Sequence, residues 1–179
     1  MRKKPDKRVI DERVADNQKR RLLLEMPART LREQLADRIT YEGSGAHKAD
    51  PYSWGIEPYR GRRRDRTYCD LHARFKFKDR LRIQRLLRRG VIGGLISDHA
   101  LKGDPSMLWT IDDNGWIYEL RITNPGHAIY HGYPVLPSDP LARKIIARLS
   151  AWASDEAEER VEDTEILEAA LLAAERRYV

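Results

Sequence analysis

Residues 107–122 read "MLWTIDDNGWIYELRI", from Met107 to Ile122, and this stretch decides the fold class. Asn114-Gly115 between two apolar runs is the strongest short-range hairpin signal, because both residue types tolerate the positive φ that a tight turn requires. An antiparallel hairpin is therefore expected over 107–122. The following "AIYHGYPVL" adds a third strand at 128–132, ended by Gly132 and Pro134.

Helical spacing surrounds this hairpin on both sides. Upstream, "DRLRIQRLLRR" at 79–89 has Asp79 as N-cap, Ile83, Leu86 and Leu87 on one face, and Gly90 as stop. Its outer face is almost wholly arginine, and "VIGGLIS" behind it predicts a short apolar strand or turn. Further upstream, Thr30 and Glu33 have capping-box spacing, and Leu31, Leu35 and Ile39 recur on one face, so 31–39 is a predicted helix. Downstream of Asp139-Pro140, Leu141, Ile145, Leu149 and Trp152 share a helical face. A second helix is expected in the acidic tail, carrying Val161, Ile166, Ala170 and Ala173. The fold class is α+β: N-terminal helices, a small antiparallel sheet of three to four strands, and C-terminal helices. The expected organisation is a basic arm with a short helix near "LLLE" at 1–29, one α+β domain at 30–153, and an acidic helix at 154–179.

The 179 residues suit one domain, and with 41% hydrophobic and 35% charged residues the chain reads as globular but heavily charged. One cysteine, Cys69, excludes an internal disulfide framework. No apolar run approaches the roughly 20 residues of a membrane span, and the start lacks the apolar core of a secretory signal, so a cytoplasmic protein is expected. The net charge of +6 is unevenly spread. Residues 60–89 hold thirteen Lys or Arg against Asp65, Asp70 and Asp79, whereas 154–177 hold nine acids against Arg160, Arg176 and Arg177. A concentrated positive stretch attracts polyanions through counterion release, which points to nucleic acid, with RNA favoured. Arg60, Arg62, Arg63, Arg64, Arg82, Arg85 and Arg89 are the candidate phosphate contacts, and Trp54 and Tyr59 could stack on bases.

From Tyr41 to Asp70 the chain carries Gly43, Gly45, Pro51, Gly55, Pro58 and Gly61 and no sustained period. That is a long loop, and long ordered loops are usually functional. It contains "YEGSGAHK", rich in groups for chemistry and poor in groups for a core. Metal-independent RNA cleavage needs a base for the 2′-hydroxyl, an acid for the 5′-oxygen, and cations for the phosphorane. His47 as acid or base, Lys48 and Arg66 on phosphate, and His131 as the complementary acid or base would suffice. No cofactor is expected. Cys69 and His72, with Asp70 and His47 near, have partial zinc spacing, but the second ligand pair of a structural site is missing.

"GSGAHK", "DRTYCD", "LWTIDDNGWIYE" and "YHGYP", in that order, resemble the pattern of a family of small bacterial proteins of unknown function, over about residues 41–137. That resemblance implies the HK, CD and YHGYP motifs but no activity, and Arg66 and Tyr68 stand where lysine and leucine would be expected. At the level of element order, the chain is similar to barnase, EndoU, colicin and RelE-type ribonuclease toxins. The expected function is an RNA-binding protein, a metal-independent ribonuclease acting as a toxin or defence effector. The alternative is a non-catalytic RNA-binding subunit of a bacterial ribonucleoprotein or defence complex. A winged helix is disfavoured, because Asp112 and Asp113 at the hairpin tip would meet phosphates. The apolar stripe of 155–177 is expected to bind a second copy or another protein, or to complete the core.

Overall fold

A computed structural model describes residues 21–45, 48–60, 68, 75–155 and 164–179. Helix α1 spans Arg29–Arg38 and strand β1 Thr40–Tyr41, and 3-10 turns at Tyr52–Trp54 and Phe77–Asp79 precede helix α2, Arg80–Ile92. Strands β2 (Ala100–Leu101) and β3 (Asp104–Pro105) make a small hairpin. Strands β4 (Met107–Ile111), β5 (Ile117–Asn124) and β6 (Ile129–Pro134) follow, then helices α3 (Leu141–Asp155) and α4 (Thr164–Tyr178).

The predicted hairpin forms with Met107 opposite Arg121 and Ile111 opposite Ile117. Its turn is held by Asp112, whose Oδ1 accepts the backbone N–H groups of Asn114 at 2.9 Å and Trp116 at 2.8 Å, and Gly115 takes φ +77°. Asp113 turns back to α2, where it pairs with Arg82 and Arg89. The tip carboxylates thus serve the fold.

The sheet order is β1-β6-β5-β4. β6 is antiparallel to β5, but β1 runs parallel to β6, so the four-stranded sheet is mixed rather than wholly antiparallel. Only two residues of β1 pair, and tertiary placement of α1 rather than any strand-length pattern brings them there. The outer edge of β1 is closed by Gln84 of α2, whose Nε2 donates to the Ile39 carbonyl at 2.6 Å and whose Oε1 accepts the Tyr41 N–H at 3.3 Å.

Every residue of β4 is buried, because the sheet is covered on both faces. One face carries Met107, Trp109, Ile111 and Ile117 against Ile145, Leu149 and Trp152 of α3 and Leu167, Leu171 and Tyr178 of α4. The other carries Leu108, Tyr118, Leu120 and Tyr130 against Ile83, Leu86 and Leu87 of α2 and Leu35 and Ala36 of α1. α4 therefore packs within the chain's own core. The inward faces expected of α2 and α3 are those observed.

Five local expectations change, the first being that β6 does not end at Gly132 but stays paired with β5 through Pro134. α1 starts at Arg29, so Thr30 lies inside it and makes no capping box, and Glu33 pairs instead with Arg29 at 2.8 Å. Leu35 and Ile39 face inward as expected, but Leu31 is exposed and Arg32 and Ala36 are buried with them instead. The short helix expected near "LLLE" is extended: Leu23 bridges Ser97, and Leu24 N–H donates to the Ile96 carbonyl at 2.8 Å. Gly90 does not stop α2, which runs on to Ile92. A Cβ at Gly90 would strike the Trp109 carbonyl oxygen, so the glycine lets helix and strand backbones touch.

Candidate functional site

β6 supplies His131, and the end of β1 lies beside it. His131 Nδ1 is 3.2 Å from the Glu42 carbonyl oxygen, and its ring stacks on Tyr41 with centroids 6.3 Å apart at 23°. Lys48, seven positions on in the chain, also comes back to Tyr41. Lys48 Nζ donates to the Tyr41 hydroxyl at 2.8 Å and lies 3.4 Å from the Trp54 ring centroid. Lys48 is only 2% exposed, so its ammonium exchanges water for a phenol and two π faces, an arrangement that a cation accepts only where such partners surround it. The loop closes because Gly45 sits against the Glu57 carbonyl, where a Cβ would clash. The glycine lies against the chain's own backbone.

Across β6 the strand register adds a second polar group. Residues directly opposed in a ladder share a face, so His131 stands beside Arg121, and Tyr133 beside Glu119, with Trp109 beyond. Glu119 is 1% exposed and accepts from Trp109 Nε1 at 3.2 Å, Arg21 Nε at 2.6 Å, both Nε and a terminal nitrogen of Arg121 at 3.2 Å, and the Tyr133 hydroxyl. Arg21 also reaches Asp139 at 2.5 Å. Burial pushes the Glu119 carboxyl up, but the Tyr133 hydroxyl and the two guanidiniums outweigh it and hold it below the ordinary carboxylate range. Burial raises Tyr133 well above an ordinary phenol, and the Glu119 charge adds to this, so Tyr133 stays protonated and donating. Arg121, 47% exposed, is the most exposed member of this network.

Lys48, His131 and Trp54, expected from sequence, therefore converge around Tyr41. Trp54 is buried under Lys48 rather than offered to a base. Arg89 is also buried, donating to the Ile111 carbonyl at 3.0 Å and pairing with Asp113, because its position on α2 faces the hairpin turn. Arg82 pairs with Asp113, while Arg60, Arg85 and Tyr59 are exposed. His47, Arg62, Arg63, Arg64 and Arg66 lie outside the described residues, as do Cys69, Asp70 and His72. Among the described residues no group of three His, Cys, Asp or Glu side chains could hold a metal ion, and no helix is long and apolar enough to cross a membrane. Sequence reasoning missed Tyr41, Glu119, Arg121 and Tyr133. The signal was present: Glu119 and Arg121 follow Ile117 at period two, so charges occupy the phase of a buried strand face.

Compared with protein-family models, curated proteins and solved structures, the chain matches none.

Proposed function

We propose that this chain binds RNA and cleaves it without a metal, as a toxin or defence effector, with His131 at the centre of the site. The observation carrying this reading is that Lys48 and His131, from distant segments, both contact Tyr41, while Arg121 stands beside His131 in register. In the proposed reaction one histidine takes the 2′-hydroxyl proton, and the 2′-oxygen bonds to phosphorus as the bond to the 5′-oxygen breaks. The other histidine protonates that oxygen, leaving a cyclic phosphate and a 5′-hydroxyl. His131 and His47 fill those two roles. Arg121, braced by Glu119, offers a fixed guanidinium to the phosphorane oxygens, and Lys48 and Arg66 add positive charge.

The non-catalytic RNA-binding subunit is the second reading, favoured by the depth of Lys48 and of His131, which is 7% exposed. Incubating the purified protein with total RNA in EDTA separates the two. The ribonuclease cleaves, and His131→Ala lowers turnover by about a hundredfold or more while RNA affinity stays within a factor of about two. Binding without cleavage supports the subunit. Cleavage that needs a divalent ion, or no interaction with RNA, overturns the proposal.

A further inference from the structure

Seven of the residues from Phe75 to Arg89 are Lys or Arg, and one, Asp79, is acidic. Three of the seven are tied down: Arg82 and Arg89 on Asp113, and Arg88 on Asp37 and the Ala36 carbonyl. The other four, Lys76, Lys78, Arg80 and Arg85, are exposed and pair with no acid among the described residues. Asp79 is itself engaged, its Oδ2 accepting the Lys76 N–H at 2.8 Å. Within this ring of cations two apolar side chains face water, Phe77 at 51% and Leu81 at 80% exposure. Phe77 lies in the 3-10 turn Phe77–Asp79 that leads directly into α2, and Leu81 lies in the first turn of α2. The Arg80 guanidinium lies 5.2 Å from the Phe77 ring centroid.

A single exposed apolar residue is ordinary on any surface. Here an aromatic ring is bracketed by two lysines and braced by an arginine. The cations alone would suit any polyanion, but the ring suits one that offers free π faces as well. A duplex keeps its bases stacked inside, whereas a single strand presents both phosphates and bases. An anionic membrane would want a broad apolar helix face, and the broad apolar face of α2 is buried in the core.

We propose that the 3-10 turn at Phe77–Asp79 and the first turns of α2 form a platform for single-stranded nucleic acid, with Phe77 stacking on a base and Lys76, Lys78, Arg80 and Arg85 contacting phosphates. The proposal rests on the RNA-binding reading above and deepens it, but it uses none of the residues around His131. Fluorescence anisotropy on the full chain tests it, with a labelled oligouridylate of about 12 nucleotides, an abasic strand of equal length, and phosphatidylserine-containing vesicles as the competing surface. Phe77→Ala should weaken oligouridylate binding about tenfold, leave the abasic strand unchanged, and be rescued by Phe77→Trp. Lys78→Glu with Arg85→Glu should weaken both strands and flatten the salt dependence. Oligouridylate binding that is indifferent to Phe77→Ala overturns the platform and leaves RNA binding intact. No RNA binding by the unmodified protein defeats both readings, and capture by vesicles but not by oligouridylate assigns the surface to lipid instead.

Discussion

At Glu119 a carboxylate with almost no exposure is matched by two guanidiniums, a phenol and an indole, drawn from β4, β5, β6 and the segment before α1. Glu119→Gln removes the charge that two guanidiniums share and turns an NH2 donor towards groups that already donate, so it should cost about 2–4 kcal/mol in urea unfolding at pH 7. The pH dependence has a definite sign. The carboxyl is depressed in the folded state, so its contribution is full above the unfolded value of about 4.3 and is lost as pH falls through the lower folded value. The unmodified protein should therefore lose stability on the acid side faster than Glu119→Gln, and the two curves should converge there. Equal slopes would mean that the network does not hold the charge. Glu119 was readable only as a strand residue of unusual phase. Nothing local in "YELR" names Arg21 as its partner, because the two residues are 98 positions apart in the chain.

Among the elements, α2 and β4 touch backbone to backbone, and that approach depends on Gly90. Gly90→Ala would push the helix off the strand or bend it, separating Leu86, Leu87 and Val91 from Leu108. About 3 kcal/mol or more of destabilisation is expected in denaturant unfolding, against about 1 kcal/mol of gain from helix propensity alone. A neutral or stabilising result would show that the layers have slack. Propensity reasoning reads a glycine after "LLRR" as a helix end, and the reading failed because the partner requiring the glycine lies in another element. The hairpin was legible for the opposite reason. Its turn is specified by neighbours in sequence, Asp112 to Trp116, which close their own hydrogen bonds.

For the whole molecule, α4 decides whether the chain is closed. Its Leu167, Ala170, Leu171 and Ala174 are buried against α3 and β4, and the Tyr178 hydroxyl accepts the Ile117 N–H at 3.1 Å and donates to the Val135 carbonyl at 2.9 Å. Burial pushes this phenol up to about 12, so it remains a donor at any physiological pH. Tyr178→Phe should lower stability by about 1–3 kcal/mol, read as a drop in thermal midpoint, because two buried backbone groups lose their shared partner. An unchanged midpoint would show that water replaces the hydroxyl. The apolar stripe of the tail fits an association surface or a core helix equally well as a sequence pattern. Its inner residues are in the core, and Ile166 and Leu172 remain on the outside. Local pattern specifies the α+β class, the 107–122 hairpin and the inward faces of α2 and α3, since these rest on periods and turns within a few residues. Long-range packing sets the parallel β1, the inward turn of Arg89, and the meeting of Lys48 and His131 on Tyr41. Each of those depends on which distant group neutralises a charge or fills a backbone hydrogen bond, and no local pattern encodes the identity of a distant partner.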